Sequence, residues 1–147
     1  MSQAGPKNEG REMAEPHGAL VAVVDDDTSV RLSTCRLIRS FGHRCESFGS
    51  GEEFFASGFA EQIACLVLDV RMPDMDGLEV QRRLFERGAR IPILFVTGRA
   101  SEQEEARARA AGAAAFLRKP VSQVSLREAL DHALSASGRV QGDRDGE

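Results

Sequence analysis

Apolar residues in this chain fall into two kinds of run: short and continuous, or longer and interrupted at helical spacing. Leu20–Val24 and Ile63–Leu68 are continuous, as a strand buried on both faces requires. Ile91–Val96 is a third such run, with Pro92 tolerable because it stands near the strand's start. Arg44–Phe48 alternates, and Ala113–Leu117 is a strand of mainly small residues. Helical spacing fills the intervals. In Thr28–Phe41 the residues Val30, Thr34, Leu37, Ile38 and Phe41 share one face, and Gly42 supplies the stop. Ser50 and Glu53 have capping-box spacing and open a brief helix carrying Phe54 and Phe55. Leu78–Arg87 follows Asp76 as N-cap and ends at Gly88. Ser101 and Glu104 open a further capped helix that Gly112 ends, and Ser122–Ser135, with Leu126, Leu130 and Leu134, is the last.

Five strands in strict alternation with five helices predict an α/β fold with a parallel sheet covered on both faces. Right-handed crossovers leave few arrangements over this length, and the leading one is the flavodoxin-like (βα)5 three-layer sandwich with strand order 2-1-3-4-5. Residues 1–18 and 137–147 are polar and read as disordered tails around one domain, 19–136. Only the short stretch 137–147 follows Ala136, so the expectation is a stand-alone domain with no attached output module.

Composition narrows the function classes. The chain has 147 residues, 41% hydrophobic and 29% charged, the balance of a globular protein with one core. No apolar run approaches the roughly 18–20 residues needed to span a bilayer, and Met1 to Gly18 lacks a signal-type apolar stretch, so a cytoplasmic location with no membrane insertion is expected. The net charge is −4 with dispersed Lys and Arg, which argues against direct nucleic-acid binding as the main activity. Cys35, Cys45 and Cys65 lack CxxC spacing and read as buried free thiols. His17, His43 and His132 show no ligand spacing.

In an open parallel sheet, ligands bind beyond the carboxyl ends of the strands. After the first strand come Asp25, Asp26 and Asp27; after the third, Asp69, within Leu-Val-Leu-Asp-Val-Arg-Met-Pro-Asp-Met-Asp-Gly; after the fourth, Thr97 and Gly98; after the fifth, Lys119 and Pro120. The expected strand order gathers these carboxylates, the hydroxyl and the ammonium in one shallow cup. Carboxylates so close repel unless a cation sits among them, and hard oxygen ligands with room for water suit Mg²⁺. A carboxylate can act as nucleophile toward a phosphoryl group, while a metal, a lysine and a hydroxyl neutralise or bond its oxygens. Asp27, Asp74 and Asp76 read more simply as cap and turn residues. Glu104, Glu105, Arg107 and Arg109 read as a solvated helix face with i,i+4 pairs.

With these residues in view, 20–136 resembles the receiver domain of bacterial two-component response regulators. The triple-Asp opening, the Arg-Met-Pro-Asp-Met-Asp-Gly loop and the Thr-Gly pair look closest to the FixJ-type branch. The resemblance implies that Asp69 is the phosphoacceptor, and that Mg²⁺ (or Mn²⁺) is held by Asp26 directly, by Asp25 through water, by Asp69 and by the backbone carbonyl of Arg71. It implies catalytic roles for Thr97 and Lys119, a cis Lys119–Pro120 peptide, and a switch made of Thr97 and Phe116. The implied partners are a histidine kinase or histidine phosphotransfer protein and a downstream protein. That protein would meet the face made by the fourth helix, fifth strand and fifth helix, where a phosphorylation-dependent homodimer is also expected. Arg71 and Arg99 are expected to flank the path of hydrolytic water.

A phosphate sink or relay intermediate would use the same chemistry without an output face. An aspartyl-phosphate phosphohydrolase of the haloacid-dehalogenase type needs a general acid two residues after its nucleophile, where this chain has Arg71. A flavin carrier needs a Gly- and hydroxyl-rich phosphate loop, where this chain has Asp25–Asp27.

Overall fold

The computed structural model describes residues 18–136; the two expected tails fall almost wholly outside that range. The elements are β1 (Leu20–Val24), α1 (Thr28–Ser40), β2 (Arg44–Phe48), α2 (Gly51–Ser57), a 3-10 turn (Phe59–Glu61), β3 (Cys65–Leu68), α3 (Gly77–Glu86), β4 (Ile93–Thr97), α4 (Glu102–Ala110), β5 (Ala115–Arg118) and α5 (Gln123–Ala136). All four pairings are parallel and the sheet order is β2-β1-β3-β4-β5, the expected one.

The pleat divides each apolar run between two cores. Val21 and Val23, Cys65 and Val67, and Leu94 and Val96 face Cys35 and Ile38 of α1 and Leu126, Leu130 and Ala133 of α5. Their alternates Ala22 and Val24, Leu66 and Leu68, and Phe95 and Phe116 face Phe54 of α2, Val80 and Leu84 of α3, and Ala108 of α4. A continuous apolar run is therefore not redundant: each strand supplies both layers. The three cysteines are free and buried, and burial pushes the Cys65 thiol up to about 12, so it stays protonated.

Helix ends follow their caps. Asp27, Ser50, Asp76 and Ser101 each accept a hydrogen bond from the amide three residues on, and Ser101 with Glu104 forms a complete capping box. At Ser50 the box is displaced by one residue, because the Glu53 carboxylate accepts from the Gly49 amide at 2.7 Å. Glu105–Arg109 is the expected i,i+4 pair on α4, whereas Glu104 bonds across to Arg71.

β1 and β2 begin where expected, but β3, β4 and β5 begin later than their apolar runs do. The Ile63 amide donates to the Phe59 carbonyl in the 3-10 turn, and the Ala113 amide closes the end of α4 on the Ala108 carbonyl. Both donors are thereby taken from the ladder, so β3 starts at Cys65 and β5 at Ala115. Pro92 has no amide to give, and β4 starts at Ile93.

Candidate functional site

The candidate residues occupy the carboxyl rim of the sheet because pairing continues one residue beyond the apolar runs. The Asp69 amide donates to the Val24 carbonyl at 3.1 Å and the Asp25 amide to Phe48 at 3.1 Å, while the Lys119 amide donates to Thr97 at 2.9 Å. Backbone bonds of sheet type thus fix Asp25, Asp69, Thr97 and Lys119 beside one another. The loop after Asp69 returns over the strand end, anchored by the buried Met72 and Met75 and by a bond from the Gly77 amide to the Val70 carbonyl at 2.9 Å. Asp74 takes a positive φ of 68° in this loop and Asp76 caps α3, the turn and cap roles read from the sequence. A Cβ on Gly77 would lie 2.3 Å from the Asp69 carbonyl oxygen, so only glycine lets α3 start against the end of β3.

The electrostatics centre on one ammonium between two carboxylates. Lys119 Nζ lies 2.9 Å from Asp25 Oδ2 and 3.3 Å from Asp69 Oδ2. Asp25 Oδ1 accepts from the Asp27 amide at 2.9 Å, and Asp69 Oδ1 from the Arg71 amide at 3.4 Å. Asp25 and Asp69 are only 4% and 7% exposed, so their mutual repulsion is weakly screened. Burial, and then the Asp25 carboxylate, push the Asp69 carboxyl above the ordinary aspartate value, with Lys119 and, less strongly, Thr97 pulling against them. Burial pulls Lys119 down, but Asp25 and then Asp69 outweigh it and hold the ammonium above the ordinary lysine value.

A stability consequence follows. A raised carboxyl binds its proton more tightly folded than unfolded, so stability falls as pH rises from the unfolded value of 3.8 through the folded one. Asp69→Asn removes this loss. Urea titrations should show the variant more stable than wild type at neutral pH, with the gain vanishing below about pH 3. A less stable variant at neutral pH would mean that the repulsion is already relieved.

Asp26 is exposed and brings a third carboxylate, its oxygen lying with those of Asp25 and Asp69 inside a 4.8 Å spread. Three negative charges against one Lys119 leave two unbalanced, and all the side-chain donors are hard oxygens. This donor set fits a small divalent cation such as Mg²⁺ or Mn²⁺.

Thr97 is fully buried, and its hydroxyl donates to the Arg99 carbonyl at 3.0 Å and accepts from the Arg99 amide at 3.2 Å. Phe116 is turned inward, 7% exposed, its ring 5.7 Å from that of Phe95. The Lys119–Pro120 peptide is cis. Asp25, Asp26, Asp69, Arg71, Thr97 and Lys119 therefore stand at this rim, and Phe116 beneath it. Sequence reading passed over Gly77, whose signal was the Asp-Gly pair at a helix start. It also passed over the partners of two arginines: the Arg71 guanidinium is turned to Glu104 at 2.9 Å, and Arg118 spans Glu105, at 2.9 Å, and the Ala100 carbonyl, at 3.0 Å.

Comparison with known proteins agrees with this fold. The family model described as the response regulator receiver domain matches residues 21–131. The response regulator protein TmoT of Ectopseudomonas mendocina is 38% identical over 129 residues, 88% of this chain and 59% of its own length. The chain thus spans a little over half of that relative. Among solved structures, the response regulator StyR superposes with a TM-score of 0.76 at 38% identity, covering 86% of this chain and 64% of that one. FixJ-N gives 0.73 at 33% identity, over 80% and 94%. A family match that runs from the first core strand into the last helix, around a rim built as described, settles the kinship: this chain belongs to the receiver domains of two-component response regulators, with relatives that include FixJ.

Proposed function

We propose that Asp69 accepts a phosphoryl group from a phosphohistidine on a histidine kinase or histidine phosphotransfer protein, and that this loading switches a partner-binding face. The observation that carries the reading is the Lys119 ammonium set between Asp25 and Asp69 at the rim. An Asp69 carboxylate oxygen forms the new O–P bond as the donor's P–N bond breaks, and the electron pair leaves with the imidazole. Asp26, Asp69 and the Arg71 carbonyl would hold Mg²⁺ or Mn²⁺, with Asp25 behind them, and the ion when bound would offset charge on the transferring oxygens. Lys119 does the same from the other side, moving from two carboxylates toward a phosphoryl oxygen.

The approach for a donor is a groove of about 540 Å³ between α1 and the Lys119–Val121 turn, lined by Val30, Thr34, Leu37, Val96, Pro120 and Leu126. It opens beside Lys119, and its apolar wall suits the face of an amphipathic helix carrying the phosphohistidine. No helix among the described residues is long and apolar enough to cross a membrane.

Thr97 supplies the means of switching. Its hydroxyl proton is committed to Arg99 and must be surrendered to bond a phosphoryl oxygen, which displaces the β4–α4 loop. A downstream protein would read the resulting face of α4, β5 and α5. Amide NMR spectra with beryllofluoride and Mg²⁺ test this. Wild type should show shifts at the rim and across α4–β5–α5, and Asp69→Asn should show neither. Thr97→Ala should keep the rim shifts and lose most of the distant ones. Distant shifts that persist without the hydroxyl would remove Thr97 from the switch. Rim shifts alone in wild type would favour the phosphate-sink reading.

A further inference from the structure

Helix α4 is held unlike its neighbours. It buries one side chain, Ala108, whereas α3, one residue longer, buries Gly77, Val80, Gln81 and Leu84. What fastens α4 is largely polar. The Gln81 amide group donates to the Ala108 carbonyl at 3.1 Å at its far end. Two arginines grip its first turn, Arg71 on Glu104 at 2.9 Å and Arg118 on Glu105 at 2.9 Å.

Both arginines come from segments that carry the site. Arg71 stands two residues past Asp69. Arg118 immediately precedes Lys119, lies over the Phe116 ring at 5.5 Å, and donates to the Ala100 carbonyl at 3.0 Å in the loop after Thr97. Glu104 Oε1 also accepts from the Ser101 amide at 2.9 Å, so the Arg71 pair closes onto that same loop. The loop is therefore fastened twice, from β3 and from β5, in the conformation where Thr97 bonds Arg99 and Phe116 is inward.

We propose that Arg71–Glu104 and Arg118–Glu105 act together as a latch that holds α4 and the β4–α4 loop in the unloaded arrangement, and so limits how readily Asp69 is loaded. The proposal rests on the phosphoacceptor reading above. A Thr97 that turns toward a phosphoryl oxygen must move the loop that both ion pairs hold, so latch and loaded form compete for one segment. By linkage, whatever weakens the latch strengthens loading by the same factor. Exposed ion pairs are individually weak, so two of them predict an effect of about two- to fivefold.

The test uses the Glu104→Gln, Glu105→Gln double variant of the full chain. It keeps an oxygen acceptor for the Ser101 amide and removes both charges. Arg109→Gln is the control, taking away only the intrahelical partner of Glu105. The double variant should bind beryllofluoride with Mg²⁺ about two- to fivefold more tightly than wild type. Amides of 102–110 should exchange faster in its unloaded form, and the control should change neither quantity. Equal or weaker binding by a folded double variant, or exchange in α4 matching wild type, overturns the latch. Wild type that fails to bind beryllofluoride through Asp69 removes the phosphoacceptor reading and the latch with it; wild type that binds, beside a variant that merely equals it, removes the latch alone.

Discussion

Gly77→Ala should cost about 2–4 kcal/mol of folding stability, the largest effect of any single methyl addition near the site. The added Cβ would sit 2.3 Å from the Asp69 carbonyl oxygen and 3.0 Å from both the Asp69 carbonyl carbon and Val70 Cα. All of these are backbone atoms with no rotamer to yield. Relief requires α3 to withdraw from the end of β3, which would also break the Gly77–Val70 hydrogen bond and release the loop that carries Arg71. Gly98→Ala is the contrast. Its Cβ would meet only methylenes of Lys119, at 3.7 and 3.8 Å, and should cost under about 1 kcal/mol. Urea unfolding of both variants decides the matter. A Gly77→Ala protein as stable as Gly98→Ala would show that α3 does not pack on the acceptor strand as described.

Lys119→Met should lose about 2 kcal/mol in metal-free buffer, less than a fully buried pair would, because the ammonium is partly solvated. Asp25 and Asp69 are left facing each other without a counter-charge, and some of the loss will be avoided by proton uptake. The stronger signature lies in the metal response. The lysine competes with a cation for Asp25 Oδ2 and Asp69 Oδ2, so its removal should make Mg²⁺ raise the melting temperature more in the variant than in wild type. Phosphoryl transfer should nevertheless fall sharply, since a charge that met the transferring oxygens has gone. An equal Mg²⁺ response in the two proteins would place the cation away from Asp25 and Asp69.

Much of this architecture was legible in the sequence for identifiable reasons. Strands buried on both faces must be apolar at every position, so Leu20–Val24 and Leu66–Leu68 announce themselves. Helix ends carry local chemistry, as Asp27, Asp76 and Ser101 show, and Gly42, Gly88 and Gly112 take the positive φ expected of helix stops. The site was legible because strand order carries Asp25, Asp69, Thr97 and Lys119 to one rim whatever the details of packing.

What escaped has no local signature. Phe59–Glu61 lacks a recognisable cap and is set by the left-handed Gly58 before it. The strand starts depended on which amides neighbouring turns had already claimed, a tertiary fact. Arg71–Glu104 joins residues 33 apart, and on a helix as uniformly charged as α4 no periodicity marks which carboxylate looks inward. The crowding at Gly77 required the path of the returning loop. An Asp-Gly pair alone says only that a turn or cap is near.

The measurement that bears most directly on the central claim is intact mass after incubation with acetyl phosphate, for wild type with Mg²⁺, wild type without metal, and Asp69→Asn with Mg²⁺. Wild type should gain one phosphoryl group only when the metal is present, and Asp69→Asn should gain none. A phosphoryl group that appears on Asp69→Asn, or on wild type without metal, would contradict the assignment of Asp69 and its acidic neighbours as a metal-assisted acceptor site.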